Sequence, residues 1–227
     1  MLDERLTLAA SLYVPCAVGA DIGTDHGFLP CHLLLSNVCR RMILSDVSPK
    51  ALAHARAAVA HWRLESRASL VCADGLDALT EPCGCVSIMG MGGETVAAIL
   101  RRGPERLRGA ALILSAHTDL PLVRGAVAEI GYHLTREELC RAAGRFYLVW
   151  RAEPGVEPVT DEALRRGALL WRSGSPLLGE YAAWRAAVLA DKRRGLRSAA
   201  QPDERALTQV EEELAFYQKQ MEVHRSC

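Results

Sequence analysis

Short apolar runs alternate with helical patterns along the first two thirds of the chain. The runs have similar lengths and lie at residues 17–20, 42–46, 68–72, 85–89 and 111–115. Because strands that alternate with helices are typical of parallel sheets, this pattern predicts an α/β domain. Two further runs, at residues 133–140 and 145–151, predict a hairpin that completes a seven-stranded, mostly parallel sheet.

The pattern changes after residue 153, where a segment rich in proline and glycine precedes purely helical periodicity. Helices are predicted at 161–171, 177–194 and 203–223. Apolar residues recur every three or four positions in the last two, at Leu177, Tyr181, Trp184 and Val188, and at Leu207, Val210, Leu214, Tyr217 and Met221. Two such stripes joined by a short loop predict an antiparallel helical hairpin. We therefore expect one domain at 1–153 and a helical domain at 154–227.

Composition limits the class of protein. The 227 residues are 50% hydrophobic and 24% charged, which fits a soluble globular chain with no membrane partner. The 27 Lys and Arg residues balance the 27 Asp and Glu residues, so a nucleic-acid site would have to come from a local patch.

Cysteine spacing argues against a structural metal. The eight cysteines are Cys16, Cys31, Cys39, Cys72, Cys83, Cys85, Cys140 and Cys227. None forms a Cys-x-x-Cys pair, and structural zinc uses paired ligand turns, so we expect no metal site. Without a recognisable signal peptide, these thiols indicate a reduced, cytoplasmic protein.

The stretch 20–30 combines the end of the first strand, a glycine turn and the start of a helix. This arrangement is typical of nucleotide-binding sheets. A dinucleotide fingerprint would read Gly-x-Gly-x-x-Gly, but here Asp21 and Asp25 alternate with Gly23 and Gly27. Two carboxylates repel a pyrophosphate and suit a cofactor with an amino group and hydroxyls, such as S-adenosylmethionine. The alternative is an ordinary turn without a ligand.

Acids also follow the next two strands. Asp46 stands about 20 residues after the turn, where an acid binds ribose hydroxyls in such folds. It would otherwise cap the helix that begins at Pro49, a role for which Ser48 competes. Asp74 is placed to accept from an adenine amino group, unless it only initiates a turn before Gly75.

A glycine-rich loop, Gly90, Met91, Gly92 and Gly93, follows the fourth strand. Three glycines in four residues leave bare backbone at the crevice where ligands bind, so we expect cofactor contacts from all four positions. A turn of purely structural use needs fewer glycines.

These motifs together carry a resemblance. The segments 20–27, 74–76, 90–93 and 144–147 resemble the bacterial tRNA (adenine(22)-N1)-methyltransferase family, the TrmK-like family, and the likeness extends over essentially the whole chain. The resemblance implies a Rossmann-like class I methyltransferase fold with a C-terminal coiled-coil-like domain, S-adenosylmethionine as cofactor and tRNA as partner. It places one set of residues at the cofactor and catalytic cleft: Asp21, Gly23, Asp25, His26, Asp46, Asp74, Gly75 and Gly90 to Gly93.

Methylation at adenine N1 suggests separate roles for the clustered polar groups. The N1 lone pair attacks a sulfonium methyl without a strong base, and the product base is cationic. We expect Asp25 to stabilise that charge as the catalytic carboxylate, and Asp21 to hold the amino group of the cofactor. His26 would orient Asp25 or contact the base, or else only bond to backbone at the helix start.

The chain also departs from the family pattern. Residues 115–117 read Ser-Ala-His where the family usually has Gln-Pro, Met89 replaces an alanine, and Leu148 stands where glutamate is frequent. Alternatives are therefore a methyltransferase of another RNA or of a small molecule, and a module that binds cofactor and RNA without transferring methyl groups. If the protein binds RNA, Arg193 and Arg194 are our candidates for contacts with its phosphates. We expect a monomer.

Overall fold

The structure is a computed structural model that describes residues 2–199, 201 and 203–224, so Cys227 lies outside the described residues. The chain packs into two units, which divide between Ser173 and Gly174. Residues 154–173 pack with the first unit. The domain boundary that we expect after residue 153 stays a prediction.

The first unit is built on a seven-stranded sheet with the order β3-β2-β1-β4-β5-β7-β6. Its strands are β1 Cys16–Ile22, β2 Cys39–Asp46, β3 Ala68–Cys72, β4 Cys85–Met91, β5 Ala111–Ala116, β6 Tyr132–Ala142 and β7 Arg145–Pro154. The first five pair in parallel, and β7 is antiparallel to both β5 and β6. The prediction of a mostly parallel sheet that ends in a hairpin is confirmed.

Helices precede, connect and follow these strands. They are α1 Glu4–Leu12, α2 Phe28–Leu35, α3 Pro49–His61, α4 Gly93–Arg102, α5 Leu120–Glu129 and α6 Asp161–Arg166, with single helical turns at Gly75–Ala78, Pro104–Leu107 and Leu170–Arg172. Because the central strands are covered by helices, their residues are apolar on both faces, and Ile113, Leu114 and Trp150 are fully buried.

Two elements differ from the sequence-based expectation. The strand β4 continues through Gly90 to Met91 with a break in register after Ile88, so the first half of the glycine loop belongs to the sheet. The helix predicted over 161–171 is only six residues long, because Gly167 ends it with a positive φ of 78°.

The second unit is a helical hairpin of α7, Leu178–Ser198, and α8, Glu204–Val223. Gly179, at the start of α7, lies beside His224, just after α8, so the two helices run antiparallel as predicted. The α7 stripe is shifted from the predicted one: Tyr181 is buried, but Trp184 and Val188 remain 44% and 42% exposed. Leu178, Ala182, Ala186 and Leu189 take the buried positions instead.

Among the described residues, no helix combines the length and the apolar character that crossing a membrane would require.

Candidate functional site

The glycine turn after β1 forms the floor of the site. The N–H groups of Gly23 and Thr24 donate to the Ser45 carbonyl over 2.7 and 2.9 Å, which ties the turn to β2. Gly23 has a φ of 79°, and a Cβ atom there would lie 2.0 Å from Met91 Cε. The positive φ therefore strains any side chain at Gly23, and the Met91 methyl above would also have to move.

Asp21 is buried at the carboxyl end of β1. Ser87 Oγ donates to Asp21 Oδ1 over 2.5 Å, and Tyr13 Oη in turn donates to Ser87 Oγ over 2.7 Å. Burial raises the pKa of Asp21 from 3.8 to about 6; the Ser87 hydrogen bond opposes that rise, and the nearby Asp46 charge adds to it. Asp21 is thus a fixed carboxylate that a cationic group would help to ionise.

Asp46 lies beside Asp21 at the end of β2. Its Oδ1 accepts from the Ser48 N–H over 2.8 Å, and Ser48 Oγ caps α3 by accepting from the Ala51 N–H over 3.4 Å. Ser48, not Asp46, is therefore the cap of this helix. Asp46 Oδ2 has no hydrogen bond from the part of the chain that the structure describes, which leaves it available to a ligand hydroxyl.

Asp74 follows β3 and pairs with a residue that the sequence analysis did not connect to it. Arg102 Nη2 lies 2.6 Å from Asp74 Oδ1, and this hydrogen bond lowers the pKa of the exposed carboxyl. Gly75, with a φ of 57°, turns the chain directly after it; a Cβ there would lie 3.1 Å from Arg102 Nη2. Arg102 therefore closes one side of the site.

Two cavities meet above the glycine turn, and both are lined by Gly23, Asp46 and Met91. The smaller cavity, of about 230 Å³, continues along Val47, Ala73, Asp74, Gly75, Thr95, Ala98, Ile99 and Arg102. The larger cavity, of about 410 Å³, continues along Arg5, Leu6, Asp21, Thr24, Asp25, His26, Phe28, Met89, Gly90 and His117. The two form one crevice at the carboxyl ends of β1 to β4, where ligands bind in open α/β sheets.

The glycine loop divides into two parts. Gly90 and Met91 line the cavities, whereas Gly92 caps α4 and Gly93 is its first residue. The N–H of Gly93 donates to Thr118 Oγ1 over 3.3 Å, and a Cβ at Gly93 would lie 2.4 Å from the Thr118 carbonyl oxygen. Gly92 and Gly93 do not line either cavity, so a cofactor contact from these two positions stays a prediction.

Asp25 and His26 project at the mouth of the larger cavity. His26 Nε2 lies 3.2 Å from Asp25 Oδ2, and the ring of His26 stacks on Phe28 with centroids 5.3 Å apart. On the other side, His54 Nδ1 lies 3.3 Å from Asp25 Oδ1. Two imidazoles therefore contact one exposed carboxylate. The role of His26 in orienting Asp25 or contacting the base stays a prediction.

The far wall of the larger cavity comes from α1 and the end of β5. Tyr147, part of the 144–147 motif, contacts both lining residues: the Arg5 guanidinium lies 5.3 Å from its ring centroid, and the His117 ring meets it edge-on at 5.8 Å. The unusual His117 of the 115–117 segment thus lines the same cavity as Asp21 and Asp46.

Arg193 and Arg194 lie in the second unit, on α7. Arg194 is exposed and pairs with Asp191 one helical turn earlier. Their role in RNA binding stays a prediction.

Sequence reasoning missed three residues at this site. Arg5, His54 and Arg102 carry no motif. His54 and Arg102 lie on helices that follow site strands, and basic residues at such positions are too common to single out a partner for Asp74 or Asp25.

Comparison with known proteins matches this chain to methyltransferases. Residues 2–150 match the family model described as a methyltransferase domain. A curated relative, the tRNA (adenine(22)-N(1))-methyltransferase of Bacillus subtilis (strain 168), is 31% identical over 156 residues. The alignment spans 68% of this chain and 66% of that relative, slightly less than two thirds of its length.

Solved structures share the fold over nearly the whole chain. The B. subtilis m1A22 tRNA methyltransferase TrmK superposes with a TM-score of 0.86 at 23% identity, over 97% of this chain and 99% of that one. A Streptococcus pneumoniae protein in complex with S-adenosyl-L-methionine superposes with a TM-score of 0.86 at 24% identity, over 97% of this chain and 100% of that one. M. capricolum TrmK in complex with S-adenosyl-homocysteine superposes with a TM-score of 0.84 at 19% identity, over 98% of this chain and 99% of that one.

Proposed function

This chain belongs to the methyltransferase domain family, and from that premise we propose that it transfers a methyl group from S-adenosylmethionine to N1 of adenine 22 in tRNA. The observation that carries the proposal is the set of three carboxylates, Asp21, Asp46 and Asp74, at the ends of three neighbouring strands along one crevice. The named function of the B. subtilis relative supports the choice of substrate.

The crevice fits S-adenosylmethionine by its chemistry. The smaller cavity offers an acid next to apolar walls, Val47 and Ile99, which suits a flat base with an exocyclic amine. Asp46 Oδ2 would accept from the ribose hydroxyls. Asp21 would face the amino group, whose positive charge would favour the ionised form of this buried carboxyl. Gly23 lets the ligand approach the backbone at the junction of the two cavities.

Bound S-adenosylmethionine supplies an electrophilic methyl group on a sulfonium. The chain contributes position and charge: Asp25, held between His26 and His54, is the carboxylate that would accept a hydrogen bond from the exocyclic amine and stabilise the cationic product base. Phe28, 55% exposed beside His26, offers a ring on which a base can stack.

The phosphates of tRNA would need basic side chains as contacts. Because the chain has no net charge, these contacts must come from a local group of basic residues. We assign Arg193 and Arg194 of α7 to this task, and we expect the enzyme to act as a cytoplasmic monomer.

A methylation assay tests the proposal. Purified protein is incubated with labelled S-adenosylmethionine and either an unmodified tRNA with adenine at position 22 or the same tRNA with guanine there. We expect 1-methyladenosine in the first tRNA alone. Label on another nucleoside would favour a methyltransferase of another RNA target. Cofactor binding without methyl transfer would favour a non-catalytic module.

A further inference from the structure

Asp25, His26 and His54 form a cluster of side chains that are able to ligate a metal, and among the described residues they are the one group of three such side chains whose ligand atoms all lie within 4.8 Å of one another. The cluster joins two separate elements, because Asp25 and His26 belong to the turn before α2 and His54 lies on α3. All three side chains are accessible to ions from solvent.

The Asp25 carboxylate lies as close to each imidazole nitrogen as two ligands of one metal ion lie to each other. Ligands of a tetrahedral zinc ion lie about 2.0–2.1 Å from the metal, so neighbouring ligand atoms stand about 3.3–3.4 Å apart. The two Asp25 carboxylate oxygens lie 3.2 Å from His26 Nε2 and 3.3 Å from His54 Nδ1. The two imidazole rings are stacked, with planes 11° apart and centroids 5.0 Å apart. Because an imidazole nitrogen binds a metal within the plane of its ring, the exposed histidine side chains rotate to point both nitrogens at one ion.

The ligand types select the class of ion. Two imidazoles and one carboxylate form the donor set of zinc sites with an open position, whereas calcium and magnesium prefer oxygen ligands. We propose that Asp25, His26 and His54 bind a divalent transition-metal ion of the zinc class at the mouth of the larger cavity.

Binding at this place has a consequence for the proposed function. The ion engages Asp25, the carboxylate assigned to the target base, and so zinc opposes methyl transfer. This effect on activity rests on the proposed function, but the binding itself does not.

Titration calorimetry of the full chain with zinc chloride tests the site directly. The informative variant is His54→Asn, which removes the imidazole and keeps a hydrogen-bond donor near Asp25. The matched control is His61→Asn, at an exposed position of the same helix but outside the cluster. We expect saturable binding of one ion to the wild type and to the control. The His54→Asn variant should bind more than about tenfold more weakly, since loss of even an outer-shell partner costs 10–100-fold.

Cobalt(II) in place of zinc identifies the ligands by absorption. We expect visible bands of a four- or five-coordinate ion that the His54→Asn variant lacks. Equal zinc affinity in the wild type and in His54→Asn, no saturable binding, or a near-ultraviolet thiolate band from a cysteine site would overturn the proposal. Binding of zinc by a protein that methylates no tRNA would leave the site standing and remove only the proposed function.

Discussion

Arg102 Nη2, at the end of α4, lies 2.6 Å from Asp74 Oδ1, after β3, and both residues line the smaller cavity. The ion pair is exposed to solvent, so its effect on the stability of the fold is small. Its effect on a ligand is more specific, because the guanidinium fixes the direction of the carboxylate that we assign to the adenine amine.

Replacing Arg102 by methionine should therefore weaken the binding of S-adenosyl-homocysteine, by no more than about fivefold for a single exposed pair. Arg101→Met is the matched control, since Arg101 is the neighbouring residue and pairs with Glu129 away from the cavities. Calorimetry with S-adenosyl-homocysteine measures both. Equal affinities for the two variants would show that Arg102 does not orient Asp74.

Asp21 should make stability depend on pH. Its pKa is raised to about 6 in the folded protein from 3.8, so the folded state holds the proton more tightly than the unfolded chain does. Stability contributed by the protonated form is complete below about pH 4 and is lost as the pH rises through about 6, a change of about 3 kcal/mol.

The variant Asp21→Asn keeps an acceptor for Ser87 and removes this titration. Relative to Asp21→Asn, the wild type should lose about 3 kcal/mol of unfolding free energy between about pH 4 and pH 8. Urea unfolding at several pH values measures the difference, with Glu65→Gln at an exposed position as the control. Parallel pH profiles for the wild type and Asp21→Asn would contradict the raised pKa.

Asp25→Asn should separate turnover from cofactor binding. Asp25 is assigned to charge on the target base, so its loss should lower kcat about 100-fold or more. The affinity for S-adenosyl-homocysteine should stay within about twofold of the wild type, whereas Asp46→Asn should chiefly weaken that affinity. Proportional losses in both quantities for Asp25→Asn would mean that Asp25 holds the cofactor instead.

The strand ends of the site were predictable because each carries a local signal. Asp21, Asp46 and Asp74 each end or follow an apolar run, and the topology of a parallel sheet brings such positions together. The cap of α3 was open between Asp46 and Ser48 from sequence and needed the hydrogen bonds to resolve.

Side chains that reach the site from helices were not predictable in this way. His54 lies 29 positions from Asp25, and only the packing of α3 beside the turn brings them within 3.3 Å. The buried stripe of α7 was misplaced because periodicity alone favoured the large Trp184 and Val188, whereas the helix buries the neighbouring face that carries Leu178, Ala182, Ala186 and Leu189.

Charge reversal on α7 should weaken tRNA binding in a manner that depends on salt. The double variant Arg193→Glu and Arg194→Glu should reduce the slope of log K against log salt by about 1–2, since each lost phosphate contact removes about one released ion. The control, Arg205→Glu with Lys219→Glu, makes the same change of charge at exposed positions of α8. An unchanged slope in the first variant, or the same loss in both, would remove Arg193 and Arg194 from the RNA site.

Glu137 should be essential for the stability of the first unit. Its buried carboxylate accepts from Trp150 Nε1 over 2.8 Å, from Arg124 Nη2 over 2.5 Å, and from the Leu170 N–H over 3.1 Å. Arg124 also donates to the Leu164 carbonyl over 2.8 Å. This network ties Leu164 and Leu170 to the sheet, although the composition changes after residue 153.

Glu137→Gln leaves the buried Arg124 without a counter-charge, which costs about 3–5 kcal/mol of unfolding free energy. Glu138→Gln is the matched control: Glu138 is the next residue of β6, and its partner Arg136 is exposed, so its loss should cost no more than about 1 kcal/mol. Urea unfolding of the full chain, followed by the fluorescence of Trp150 and the other tryptophans, measures both. A small cost for Glu137→Gln would mean that residues 161–172 are held by apolar packing alone, and the buried ion pair would then be dispensable to the first unit.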